Sequence, residues 1–268
     1  MKTFLSSFWR AITEIMAFTY RNYVVTKNEF YAIFEMAFWP LISLISVGLL
    51  GEFLYLNKNE IAFIIIGVIA LSIVHIVQID VTYVMLLDMW SMSLKYTIVT
   101  PTPFYRMVLG AWIFGIIRGS IAMLLLILLS CKFFDFHFIL PVTAGILFTF
   151  GLFASAMLVG IFNCILILVF GRRAEIFAWT LTAIVMIFCG IYYPVTILPE
   201  PFRTFGLLIP ITHFLEYFRM FYGFPPTCGD PLLIGIAETI IYLLTLLITA
   251  ELSMRRARKT GLVLKLSG

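Results

Sequence analysis

Apolar residues run along this chain in blocks of twenty or more, and the breaks between the blocks carry most of its charge. A helix needs about 20 apolar residues to cross the hydrocarbon core of a bilayer. Six blocks reach that length: residues 30–55, 61–87, 107–129, 138–170, 174–193 and 232–253. The fourth is longer than one straight crossing requires at ~1.5 Å per residue. It is expected to tilt, to kink near Gly151 or Gly160, or to extend beyond the core. Residues 3–23 behave differently: Leu5, Phe8, Ile12, Ile15 and Met16 recur on one helical side, with Ser6, Arg10, Thr13 and Glu14 on the other. That segment is too charged to span and should lie in the interface plane, apolar side down, as a simple anchor or a docking element. The expected fold is an all-α polytopic membrane protein. Residues 1–29 form an amphipathic interfacial helix and residues 30–268 a six-helix membrane domain.

The pattern changes after the fifth block. Residues 190–223 stay apolar and aromatic, yet five prolines fall between Pro194 and Pro225. Irregular backbone survives at membrane depth only where protein or a water-filled cavity satisfies it. Residues from about 194 to 224 are therefore expected to form an outer re-entrant hairpin that lines or closes a passage. Pro194 and Pro199 interrupt the helix, and Pro210 divides the return path. His213, Glu216 and Arg219 then follow at i, i+3 and i+6, so Glu216 and Arg219 can pair locally. Tyr192 and Tyr193 begin a run of aromatics there. A gate and a lid that merely packs a dimer both fit this pattern.

Charge sets the orientation. With the N-terminus inside, thirteen Lys and Arg face one side and four (Lys58, Lys132, Arg203, Arg219) the other, with Arg118 inside a span. The positive-inside rule then puts both termini in the cytoplasm and the hairpin outside, in a plasma (inner) membrane protein. Composition agrees: 62% of the 268 residues are apolar and 12% charged, with mean hydropathy +1.07, against about 25% charged in soluble domains. The net charge of +4 is dispersed, which argues against a nucleic-acid partner. Cys131, Cys164, Cys189 and Cys228 have no metal spacing and read as small apolar fillers. Cys131 and Cys228 could share the outer compartment. No cleavable signal peptide is visible.

The first inner loop, residues 88–106, is longer than a simple connection needs. A short helix over residues 90–98 fits, with Trp90, Leu94 and Ile98 on one stripe and Pro101 and Pro103 as the stop. It either rests on lipid headgroups or meets a cytoplasmic partner.

These features together resemble the membrane subunits of type-2 ABC exporters. Such subunits have an interfacial N-terminal helix, six spans, a coupling helix between the second and third, and a re-entrant hairpin before the last. Asp88, Trp90, Leu94, Val99, Thr100 and Pro101 match the coupling signature. Phe170, Gly171, Ala174 and Glu175 match the loop before the fifth span, and Phe38-Trp39-Pro40 an element of the first. Gly190–Pro194, Leu198, Pro199, Pro210, Thr212, His213, Glu216 and Arg219 match the hairpin. The coupling loop departs from relatives in carrying less charge, with Met92 and Leu94 among its residues. The resemblance implies a permease, working as a homodimer with two cytoplasmic ABC ATPase subunits that hold ATP and Mg. The implied coupling residues are Asp88, Trp90, Leu94, Thr100, Pro101 and Glu175. The implied gate residues are Tyr192, Tyr193, Pro194, Pro199, Pro210, His213, Glu216 and Arg219.

The chain itself carries no G-x-x-x-x-G-K-S/T loop, so no cofactor is expected on it and no enzyme activity of its own. His75, His137 and His213 are isolated from one another and from metal-ligand spacings. Charges at membrane depth point to function by default. Asp80 and Arg118 sit about 12 Å and 18 Å up neighbouring antiparallel spans, close enough to pair. Their pairing serves either as a structural bridge or as the charge relay of an ion-coupled secondary transporter. His75, Gln78 and Thr82 form a polar stripe that either faces the path or holds helices together. Glu35, Glu52 and Glu238 lie nearer span ends. The cargo of an exporter of this kind would be amphipathic: lipid, lipid-linked glycan or hydrophobic drug. A membrane-embedded lipid enzyme is a third class, but it would require clustered His or carboxylates at one interface.

Overall fold

The computed structural model describes residues 2–136 and 141–260, without the side chains of residues 2–7, 30–33, 35, 98, 172 and 260. His137, the opening of the fourth block at 138, and Lys265 lie outside the described residues, as do the side chains of Leu5, Ser6, Glu35, Ile98 and Arg172.

The described residues are helical throughout, without strands. In chain order they are α1 (Lys2–Asn28), α2 (Phe30–Phe53), α3 (Lys58–Trp90), α4 (Leu94–Val99), α5 (Phe104–Phe134), α6 (Val142–Phe170), α7 (Glu175–Phe188), α8 (Phe202–Leu207), α9 (Pro210–Arg219) and α10 (Pro231–Thr260). Short 3-10 turns occupy Gly171–Ala174, Val195–Ile197 and Met220–Tyr222. Five helices, α2, α3, α5, α6 and α10, are long and apolar enough to cross a membrane. The fifth expected span is shorter than the sequence implied. α7 has 14 residues, about 21 Å, because the chain turns at Gly190 with φ 64°, a conformation that glycine adopts without a Cβ penalty.

α3 and α6 form the centre. α3 packs on α6, α5 and α2, while α6 also carries α10 and α9. Glycines set the closest approaches. A Cβ on Gly160 would stand 2.5 Å from the Val81 side chain, and one on Gly151 2.3 Å from the Phe214 ring. Both positions lie within one helix, Val142–Phe170, where they serve as contact points. Two apolar clusters result. One gathers Ile65, Ile73, Leu152, Phe214 and Phe218, and the other Met85, Leu94, Phe104, Met107 and Met254. The periphery is apolar too: α10 exposes Ile236, Ile240, Leu244, Ile248 and Leu252 as one stripe, the surface a helix offers to acyl chains.

The N-terminal helix α1 packs along α5. A Cβ on Gly110 would stand 2.3 Å from the Ile15 carbonyl oxygen, so the two backbones almost touch. The expected apolar face is divided: Ile12 and Ile15 are partly covered, while Phe8 and Met16 stay exposed beside Trp9 and Tyr20.

Candidate functional site

The ends of α3, α6 and α10 and the starts of α5 and α7 meet at one end of the bundle, where most of the basic residues collect. α3 runs past its expected end and stops at Trp90. Ser93 N–H bonds the Asp88 carbonyl at 2.8 Å and Met92 N–H the Met89 carbonyl at 3.3 Å, the double bond of a Schellman stop, with Met92 at φ 58°. Trp90 therefore closes α3 and does not sit on the short helix with Leu94. α4 has only 6 residues. It ends at Thr100, which is extended (ψ 147°) as a residue before proline prefers.

Of the six expected coupling residues, the structure buries Asp88 and Leu94 and leaves Trp90, Thr100, Pro101 and Glu175 exposed or partly exposed at this end. Leu94 is 2% exposed within the core, so its side chain is not presented to a partner. Asp88 is buried and accepts both Arg21 Nη1 contacts at 3.2 Å. It anchors α1 and is not free to bind a partner. Trp90 Nε1 donates to Glu175 at 3.1 Å, which joins the two connections at this end. The Thr100 carbonyl accepts from Arg258 Nη2 at 3.4 Å, tying in the end of α10. Tyr96, Val99, Thr100 and Pro101 remain exposed.

Arg21 was not singled out in the sequence, nor were Asn22, Glu14 and Arg106 as partners. Arg21 also donates to the Tyr83 and Val84 carbonyls. Asn22 Nδ2 donates to the Asp80 carbonyl at 3.2 Å, and Thr19 Oγ1 to the Gly110 carbonyl at 2.8 Å. Arg106 Nη1 meets Glu14 at 2.8 Å, and this hydrogen bond holds the Glu14 carboxyl below the usual range. The available signal was the polar series of Glu14 and, about two turns on along one side of α1, Arg21 and Asn22.

Deeper in the bundle, Arg118 Nη1 bonds Asp80 as the spacing suggested, with Asp80 fully buried. The α3 polar stripe bridges helices. Gln78 Nε2 donates to the Ala178 carbonyl at 2.9 Å and Gln78 Oε1 accepts from Asn163 at 2.7 Å. His75 Nδ1 lies 3.2 Å from Thr182 Oγ1, and Thr82 turns back to its own helix.

At the opposite end the chain between α7 and α10 folds into the broken hairpin. Pro194 caps the 3-10 turn Val195–Ile197, the Pro199 carbonyl accepts from Arg203 N–H at 3.2 Å, and Pro210 opens α9. The Tyr193 hydroxyl donates to the Ile187 carbonyl, and Tyr192 is partly buried. α9 lies inside the protein. His213, Glu216 and Arg219 are 1%, 9% and 3% exposed. The expected Glu216–Arg219 bond is replaced. Arg219 donates to the carbonyls of Gly190 at 2.6 Å, Ile191 at 2.7 Å and Phe63 at 3.2 Å, and its guanidinium stacks 3.4 Å from the centre of the Phe63 ring. Glu216 instead accepts from Thr227 N–H at 3.2 Å and from the Thr227 hydroxyl. His213 Nε2 donates to the Leu207 carbonyl at 2.8 Å, and Glu238 Oε1 lies 3.6 Å away. The Arg219 partners come from backbone far off in sequence, so no side-chain pattern announced them. Among the described residues no cluster of three or more His, Cys, Asp or Glu could hold a metal. The four cysteines are free thiols.

No protein-family model matches the chain. A stretch of 62 residues, 23% of the chain, is 73% identical to an uncharacterized protein of Archaeoglobus fulgidus and covers 97% of it.

Proposed function

We propose that this chain, which belongs to one family with that Archaeoglobus fulgidus protein, is the permease subunit of an ATP-driven exporter for an amphipathic cargo. Two copies would form the path, and two separate ABC ATPase subunits would supply ATP and Mg. The observation that carries this reading is the linkage at the basic end. Trp90–Glu175, Thr100–Arg258 and Asp88–Arg21 join both interhelical connections, the α10 arm and α1 into one platform. A force applied to α4 there reaches α3, α5, α7 and α10 together. The far end is shut by a hairpin built from backbone breaks, which opens by rearranging hydrogen bonds instead of pulling a helix through lipid. Positive charge on the platform side makes that side cytoplasmic, with both termini in the cytoplasm of an inner-membrane protein.

The test is reconstitution. Co-expressed with its cognate ATPase, the chain should purify as a complex, and Trp90→Ala should leave the complex and its ATP hydrolysis in place while abolishing transport. A cysteine at Ser91 should crosslink to the ATPase; crosslinks to lipid alone would refute a docking role for α4. The buried Asp80–Arg118 pair favours a second reading, an ion-coupled transporter. Gradient-driven uptake by the chain alone in liposomes would establish that reading and overturn the exporter.

A further inference from the structure

Beneath the hairpin at the end opposite the platform lies a cavity of about 240 Å³, below the about 300–1,000 Å³ of sites for drug-sized ligands. That volume suits one small ring or headgroup, not a whole cargo. Its walls include Phe63, Phe224, Glu216, Arg219, Thr196 and Thr227, backed by Pro194, Pro225 and Pro226.

The lining combines unused polar capacity with aromatic surface. Glu216 accepts two hydrogen bonds, both from Thr227, whereas a carboxylate offers about four lone-pair sites. Arg219 spends both Nη atoms on backbone carbonyls, and its buried Nε has no partner. Phe63 and Phe224 meet edge to face at 4.9 Å. One carboxylate and one guanidinium share the cavity, so a phosphate would face Glu216 and a quaternary ammonium would face Arg219. A neutral ring bearing several hydroxyls meets neither penalty. Its O–H groups donate to Glu216, and its polarised C–H face lies against the electron-rich face of an aromatic ring.

We propose that this cavity is a binding site for a single neutral sugar ring of the hexopyranoside type. The site stands on the chemistry of the cavity. Its meaning as a checkpoint for a glycan-bearing cargo at the exit rests on the exporter reading.

Full-length chain in phosphatidylcholine nanodiscs, free of sugar-headed detergent, is titrated calorimetrically with methyl β-glucopyranoside, inorganic phosphate and choline. Saturable binding of the glucoside alone is expected. Glu216→Gln, which keeps an acceptor for Thr227, should weaken it about tenfold, and Phe224→Leu about threefold. Both variants are checked for unchanged thermal unfolding. Glucosyl-diacylglycerol in the nanodisc should raise the apparent Kd of the methyl glucoside if lipid-borne sugars reach the site; an unchanged Kd assigns it to free saccharide. No saturable glucoside binding, tighter binding of phosphate or choline, or glucoside binding untouched in both variants would overturn the proposal. Loss of the site with the ATPase complex and transport intact would leave the exporter reading standing, whereas failure of the complex with glucoside binding intact would remove only that reading.

Discussion

Replacing Arg219 by methionine keeps an unbranched apolar stem and removes the guanidinium. The Phe63 carbonyl lies inside α3 and keeps its helical ladder bond. The Gly190 and Ile191 carbonyls lie in the chain reversal beyond α7 and lose bonds of 2.6 Å and 2.7 Å. Each buried carbonyl left without a partner costs about 1–3 kcal/mol, so the two cost about 2–6 kcal/mol. Relief from holding a charge out of water returns part of that, leaving a net loss of about 2–4 kcal/mol. At ~2–4 °C per kcal/mol for a chain of this size, the unfolding midpoint of the purified protein should fall by about 5–15 °C. Lysine, which keeps a charge but not the fork that spans two carbonyls, should fall between wild type and methionine. Gly67→Ala attacks the same reversal from the other side, because its Cβ would stand 1.9 Å from the Ile191 oxygen. Its cost combined with Arg219→Met should be smaller than the sum, since one structure is lost only once. An Arg219→Met midpoint within about 2 °C of wild type, or strict additivity with Gly67→Ala, would refute the clamp.

Gly110→Leu should lift α1 from α5, seen as faster proteolysis around residues 10–20 while the remaining helices stay folded; unchanged cleavage would mean α1 is held elsewhere. Asp80→Asn and Arg118→Gln should each lower thermal stability by about 3–5 kcal/mol, with partial recovery in the double variant, because one lone buried charge is worse than none. Additive losses would separate the two residues energetically. The Glu14 carboxyl is held below its ordinary range by Arg106. Its contribution is therefore complete above the usual carboxylate pKa of about 4.3 and is lost as pH falls through the depressed value. Proteolysis of α1 should accelerate below about pH 4 in wild type, and Glu14→Gln should abolish that dependence; an acid response retained in Glu14→Gln would exclude this bridge.

Membrane residence, all-helical structure and the charge-dense end were legible in the sequence because each depends on local composition. A run of apolar residues long enough for the bilayer is helical wherever it stands, since lipid leaves its backbone no other partner. The Asp80–Arg118 pair was legible for a related reason: two antiparallel spans that leave and re-enter the membrane at the same face fix the depth of each residue by counting from that face. Proline positions marked where α4 and α9 begin or end, because a missing N–H acts on the spot.

Contacts between segments distant in the chain were a different matter. Whether the 174–193 block would be one crossing or a short α7 with a reversal depended on Gly67 leaving room for the Ile191 carbonyl and on Arg219 bonding that backbone. A carbonyl is present at every residue, so no sequence pattern distinguishes the ones that a distant arginine will reach. Periodicity likewise gave α1 one apolar face but could not divide it between lipid and protein, since both solvents accept isoleucine equally. The approach at Gly110 and the ion pairs of Arg21 and Glu14 made that division. Leu94 followed the same rule: its apolarity was plain from the chain, and only the end of α3 at Trp90 turned it into the core rather than toward a partner.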